Sequence, residues 1–179
     1  MTPALVELTA EDLGARSDEV LDVYREAMEV SPGAAAARRS ILQAHLGRDG
    51  LRAVTALDGC RMVGVAYGYP GVPGDWWHDQ VRRSLTPEQA QDWLADAFEV
   101  CELHVRPELH GTGLGRSLLD ALLSGPPART AVLTTPDQDT RARRFYRLGG
   151  WEDLRRGLVF PGDPRVFAVL GKRLEPPRA

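Results

Sequence analysis

The densest chemical signal in this chain lies between Glu102 and Leu119, which read Glu-Leu-His-Val-Arg-Pro-Glu-Leu-His-Gly-Thr-Gly-Leu-Gly-Arg-Ser-Leu-Leu. The pattern is a strand, a tight loop and then a helix, with Gly111, Gly113 and Gly115 alternating where the helix begins. Backbone N–H groups at a helix start have no partner inside the helix and point outward, and the helix dipole favours negative charge there. Glycines remove the Cβ atoms that keep a pyrophosphate off the main chain. The chemistry this suits is an anion cradle for a diphosphate. The loop lacks the Gly-Lys-Ser/Thr ending of an ATP-binding phosphate loop. Its Gly-x-Gly-x-Gly spacing also differs from the dinucleotide Gly-x-Gly-x-x-Gly, and it lies mid-chain behind an antiparallel hairpin, where a dinucleotide fold would not start. A tight strand-to-helix turn with no ligand uses glycines in the same way, and the glycines alone leave both readings open.

Just upstream, the segment Phe98-Glu-Val-Cys-Glu-Leu-His-Val105 reads as a central strand that contains Glu99 and Glu102. Such a strand is normally apolar. Each carboxylate therefore calls for a salt-bridge partner or a role in proton transfer. Alternation along the strand puts the two on opposite faces unless a bulge intervenes.

The elements that must position these residues follow from the apolar pattern. Residues 5–8 read as a first strand. Ser17 can cap a helix that runs to about Val30, with Val20, Tyr24 and Met28 on one face. Pro32 and Gly33 break it. A second helix spans 34–46, and Gly47 ends it. Strands at 51–57 and 61–69 flank Asp58-Gly59, a strong hairpin signal. Residues 70–84 read as irregular. Thr86-Pro87 opens a short helix, with Thr86 as its cap. A strand at 98–105, the glycine loop, and a helix at 114–123 with Leu114, Leu118 and Leu122 aligned come next, and Pro126-Pro127 stops that helix. A strand at 130–135, a helix at 138–148 and a strand pair at 151–160 and 165–170 complete the order, leaving 175–179 as a disordered tail. The series β-α-α-β-β-(α)-β-α-β-α-β-β predicts an α+β fold, a sheet with helices on its faces, as one domain over residues 1–179.

Composition narrows the function classes. With 22 Lys+Arg against 25 Asp+Glu the net charge is −3, which argues against a nucleic-acid partner. No apolar run reaches the roughly 18 residues of a membrane helix, and the start of the chain lacks a basic region followed by an apolar stretch. Cys60 and Cys101 are expected to be reduced and buried in a cytoplasmic protein. His45, His78, His104 and His110 are scattered, no Cys/His cluster has metal-ligand spacing, and no metal is expected.

At this point the residues resemble a known family. His110-Gly-Thr-Gly-Leu-Gly115 is similar to the Gln/Arg-x-x-Gly-x-Gly/Ala signature of the GCN5-related N-acetyltransferases, the GNAT family, with His110 departing from the usual Gln or Arg. Val105-Arg-Pro-Glu before it is also typical of that family. Downstream, Ala142-Arg-Arg-Phe-Tyr-Arg-Leu-Gly-Gly-Trp151 resembles the second signature, Ala-x-x-Phe-Tyr-x-x-x-Gly-Phe, with Asp139 where Asn is common and Trp151 where Phe is common. Two motifs in the right order and spacing make the match specific.

The resemblance implies a mixed, mostly antiparallel, splayed sheet flanked by helices in three layers, its strand at 98–105 parting from the one at 130–135. The pantetheine arm of acetyl-coenzyme A would lie in that gap. Backbone groups of Leu103 and Val105, with His104 between them, would pair with its amides as an added strand does. His110, Gly111, Thr112, Gly113, Leu114, Gly115 and Arg116 would form the pyrophosphate cradle, and Asp139 and Tyr146 would belong to the coenzyme site through the second signature. Tyr146 stands where the family often places the acid that protonates the coenzyme sulfur; a core tyrosine beside Phe145 is the other reading. Amine acetylation also needs a group that takes the proton of the attacking ammonium. Glu102 ranks ahead of Glu99 because it lies closer to the motif, and a salt bridge is the competing role for each. His104 reads as a structural histidine. Arg141, Arg143, Arg144 and Arg147 either meet the adenosine phosphate or form a solvated helix face.

The implied reaction is transfer of an acetyl group to a primary amine. A small-molecule acceptor is the first expectation. A protein or peptide N-acetyltransferase is the second, and a non-catalytic coenzyme-A-binding domain the third. Residues 70–91 would cover the acceptor. There Trp76, Trp77 and Trp93 either line an aromatic wall or simply pack, while Asp75, Asp79 and Asp92 either attract a cation or serve solubility. Either a monomer or a homodimer fits.

Overall fold

The computed structural model describes residues 2–125 and 127–175. The predicted helix stop at Pro126 and the expected tail beyond Glu175 lie outside the described residues. Among the described residues, seven strands are ordered β1-β2-β3-β4-β5-β7-β6. Strand β4 (Ala97–Val105) runs parallel to β5 (Thr130–Pro136), and the other described ladders are antiparallel. The chain forms two compact units, Met1–Tyr69 with Val100–Gly125, and Pro70–Glu99 with Pro126–Ala179. Among the described residues no helix is long and apolar enough to cross a membrane.

In the first unit, β1 (Ala4–Leu8) pairs with β2 (Arg52–Asp58), and β2 pairs with β3 (Arg61–Pro70) through a two-residue loop. Helix α1 (Ala10–Ala15) starts at Thr9, whose hydroxyl accepts from the Asp12 N–H while the Asp12 carboxylate accepts from the Thr9 N–H. Two orphan donors are satisfied at once, and the helix was not foreseen. Ser17 consequently lies inside α2 (Ser17–Ala27), and its hydroxyl donates to the Gly14 carbonyl at 2.6 Å instead of capping. Helix α2 ends at Ala27, ahead of Pro32 and Gly33, but Pro32 itself opens the next helix. It sits in the first turn of α3 (Pro32–Ala37), where its missing N–H costs nothing, and Ser31 is the cap. The helix predicted over 34–46 is split at Arg38, after which α4 (Arg39–Leu46) begins. Leu13, Val20, Val23, Leu42, Ala53, Met62, Val65 and Tyr67 form the core of this unit. Each full burial of a Leu or Val side chain stabilises by about 1.5–3 kcal/mol. Helix α7 (Leu114–Leu123) buries Leu114, Leu118, Leu119 and Leu122, as the pattern predicts. Cys101 is partly buried, but Cys60 is exposed, because it occupies the tip of the β2–β3 loop.

The second unit contains α5 (Trp76–Ser84) and α6 (Pro87–Leu94), the start of β4, then β5, α8 (Arg141–Leu148), β6 (Glu152–Val159) and β7 (Val166–Arg173). Residues 76–84 are a helix, where an irregular segment was expected. Trp77, Val81 and Leu85 are four apart and all pack on the core of this unit, a helical spacing obscured by the surrounding Gly and Pro. Thr86 and Gln89 form the capping box of α6. The β4–β5 ladder covers Ala97–Glu99 against Thr130–Val132, while β5 pairs with β7 over its whole length. Val81, Trp93, Leu94, Ala97, Val132, Leu154, Phe160 and Val169 are the core.

Candidate active site

The glycine turn belongs to the first unit. After β4 the chain makes a 3-10 turn, Pro107–Leu109, and then passes through Gly111 (φ 80°) and Gly113 (φ 90°) into α7. Both glycines are left-handed, a region that costs a side chain roughly 1–2 kcal/mol. The Thr112 hydroxyl donates to the Leu109 carbonyl at 2.8 Å and holds the turn. His110 folds back on the strand, its Nε2–H donating to the Val105 carbonyl at 2.7 Å. Helix α7 therefore begins on a glycine with no side-chain cap, whereas α6 and α8 start on threonines whose hydroxyls fill that place. A Cβ added at Gly113 would meet nothing within 4 Å. An uncapped helix start facing open space is what a diphosphate needs, so these residues fit the phosphates of coenzyme A. Arg116, half-exposed beside the turn, pairs with Asp120 at 3.3 Å.

Glu102 sits in the same unit and is buried, 8% exposed. Its Oε1 accepts from Nε and Nη2 of Arg38, and its Oε2 meets Nε2 of His104 at 2.5 Å. Tyr24 packs edge-on against His104 at 5.2 Å, and Arg38 lies over the Tyr24 ring at 5.5 Å. Burial alone would raise the Glu102 carboxyl, but the hydrogen bond and charge of His104 and the charge and hydrogen bond of Arg38 outweigh it and hold the group down at about 2. Such a carboxylate stays ionised at neutral pH and is a weak proton acceptor. Leu103 and Val105 continue the strand on either side of His104.

Glu99 lies in the second unit and is likewise buried. Its Oε1 is 3.1 Å from Nδ1 of His78, on α5. Tyr146 on α8 is buried and touches Phe145 and Trp151 edge-on, at ring separations of 5.1 and 5.5 Å. Edge-on contacts of this kind are favoured by the ring quadrupoles. Of the four arginines of α8, Arg143 is not on a solvated face: it is 1% exposed and reaches Asp153 at 2.6 Å and Asp137 at 3.4 Å. Asp139 is exposed and pairs with Arg144 at 3.1 Å. Trp77 and Trp93 pack into the core, the first donating to the Thr134 hydroxyl at 3.3 Å and the second under Arg173, while Trp76 stays 55% exposed.

The sequence-predicted residues divide between the units. Glu102, Leu103, His104, Val105 and His110 to Arg116 share the first, and Glu99, Asp139 and Tyr146 share the second. Sequence reasoning missed Arg38 and His78. Arg38 had no signal, because its partner is 64 residues away. The signal for His78 was the Trp77/Val81 helical spacing, which would have put it on the buried side of a helix. Among the described residues no group of three His, Cys, Asp or Glu side chains is arranged to hold a metal ion.

The comparisons with known proteins bear on the same segment. The model of the Acetyltransferase (GNAT) family matches residues 18–150, which contain the first signature and the second as far as Gly150. The Mycobacterium tuberculosis (strain ATCC 25618 / H37Rv) protein named GCN5-like protein acetyltransferase Rv2170 is 38% identical, over 95% of this chain and 97% of its own. Two solved structures share the fold. An aminoglycoside 6'-N-acetyltransferase complexed with coenzyme A superposes with a TM-score of 0.65 at 15% identity, covering 98% of this chain and 99% of that one. The ribosomal-protein-S18-alanine N-acetyltransferase of Escherichia coli gives 0.66 at 13% identity, covering 99% and 96%. With the family model matching residues 18–150 and a 38% identical relative aligned over nearly its whole length, the chain belongs to the GNAT family of acetyltransferases.

Proposed function

We propose that this protein transfers an acetyl group from acetyl-coenzyme A to a primary amine carried by a protein. The observation that carries the coenzyme half of this reading is the uncapped, left-handed glycine start of α7, open above Gly113. When bound, acetyl-coenzyme A supplies the thioester whose carbonyl carbon the amine attacks. Main-chain N–H groups from Gly111 to Arg116 hold its diphosphate, and the β4 backbone at Leu103 and Val105 offers groups to its amides. Glu99 takes the proton of the ammonium, so that the nitrogen lone pair forms the new C–N bond. As the C–S bond breaks, the Tyr146 hydroxyl gives its proton to the sulfur, and the second proton leaving the nitrogen restores the phenol. Glu102, ranked first from sequence alone, is better suited to stay ionised and hold Arg38 and His104 in place, because its carboxyl sits at about 2.

The protein acceptor is supported by the name of the 38% identical relative. A small amine is the second reading, favoured by the aminoglycoside enzyme that shares the fold. Release of free thiol from acetyl-coenzyme A, measured with a panel of lysine-bearing proteins and a panel of small amines, tests both. Turnover with the first panel alone supports the proposal, and turnover with small amines alone replaces it. Coenzyme uptake without turnover on either panel would leave a binding domain.

A further inference from the structure

Three separate stretches of the second unit converge on one buried carboxylate. Glu99 on β4 and His78 on α5 are 3% and 1% exposed, with Oε1 and Nδ1 3.1 Å apart. Gly71 is the third partner. Its N–H donates to the Ala97 carbonyl at 2.8 Å, which ties the residue after β3 to the start of β4. A Cβ at Gly71 would stand 2.7 Å from Glu99 Oε1 and 2.9 Å from His78 Nδ1. Real Cβ atoms essentially never come this close, so the buried pair would have to shift to admit one. Gly71 is therefore a glycine because the carboxylate–imidazole pair occupies the place of its side chain.

Burying an ionisable pair is expensive, and hydrophobic residues of similar volume often stabilise as well or better. No net stability gain therefore explains why three elements should be shaped around this one. Resting on the reading of Glu99 as base, we infer that His78 is a positioning residue for the acetyl transfer. With Glu99 ionised, the carboxylate only accepts hydrogen bonds, so Nδ1 carries the proton and the imidazole is an oriented donor. That bond sets the rotation of the carboxylate and so the direction of its remaining lone pairs. Gly71 closes the pair from the other side. His78 itself takes no proton from the amine; it acts through Glu99.

The test uses the full-length protein and four variants, His78→Leu, His78→Asn, Gly71→Ala and Glu99→Gln, with poly-L-lysine and an aminoglycoside as acceptors. Asn places an N–H donor where Nδ1–H stood, and Leu fills the space without one. His78→Leu and Gly71→Ala should each lower kcat on the order of 10- to 100-fold by misaligning the carboxylate, with the KM for acetyl-coenzyme A unchanged. His78→Asn should recover most of that loss. Rescue by Leu instead of Asn would show a packing role and overturn the inference. A second readout needs no acceptor. The His78 Nδ1 proton should appear in the proton NMR spectrum downfield of the amide envelope and move in Glu99→Gln; a missing or unmoved resonance overturns the pairing itself. If Glu99→Gln turns over normally, the base reading fails. If Glu99→Gln is inactive while His78→Leu is not, only the role of His78 fails.

Discussion

Glu102 and Glu99 lie three residues apart on one strand, and their surroundings are opposite in kind. Glu102 in the first unit has each oxygen occupied by a donor, Arg38 on one and His104 on the other, and its carboxyl is held down at about 2. Glu99 in the second unit meets Nδ1 of His78 across 3.1 Å. Both are buried. Burial alone thus says little about what a carboxylate does; the groups packed against it decide whether it is held as an anion. Sequence position near a motif, the ground on which Glu102 ranked first, carries none of this information.

The largest expected effect is on turnover. Glu99→Gln should lower kcat by about 10²–10⁴-fold, the usual contribution of a positioned base, and leave coenzyme affinity intact, as steady-state kinetics and calorimetric titration with coenzyme A would show. A Glu102→Gln variant that loses more turnover than Glu99→Gln, at equal folded fraction, reverses the comparison. Tyr146→Phe, on the same unit as Glu99, should reduce kcat by roughly 10²-fold with little change in the KM for acetyl-coenzyme A. Unchanged turnover would remove Tyr146 from the chemistry and leave it as a packed core tyrosine beside Phe145 and Trp151.

Stability should separate the two glutamates in the other direction. Removing the Glu102 charge strands Arg38 beside His104, and breaking a buried pair in this way costs about 3–5 kcal/mol. Urea unfolding followed by circular dichroism would measure it; a loss below about 1 kcal/mol, the level of a surface pair, would mean that Arg38 finds water instead. The smallest effect is the pH dependence of that loss. The Glu102 carboxyl is lowered from 4.5 to about 2 in the folded chain. A lowered value stabilises above the unfolded value and loses that stability as pH falls through the folded one. The gap in melting temperature between wild type and Glu102→Gln should therefore be full above about pH 5 and shrink steadily below about 4.5. A gap that stays constant down to pH 3 contradicts the ion-pair account.

Much of the fold was legible because it is written in local patterns. The leucine spacing of α7 gave its bounds, and Thr86-Pro87 announced α6. The glycine cradle was readable because both requirements, free N–H groups and absent Cβ atoms, are properties of residue types at fixed offsets. What escaped reading depended on partners distant in the chain. Ser17 looked like a cap until Thr9 and Asp12 built a helix before it. Pro32 reads as a breaker or a starter depending only on whether Ser31 can accept from Ala34. Arg143, one of four arginines on a short helix, is the one that is buried, because Asp137 and Asp153 converge on it.

The sequence by itself determined the family, the order of the strands along the chain and the glycine turn before α7, since these rest on spacing along the chain. Only the tertiary structure decided which acidic side chain is held between Arg38 and His104, which one meets His78, and what fills the space beside residue 71. Hydrogen-bond partners and excluded volume come from segments that meet only on folding, and no local pattern encodes them.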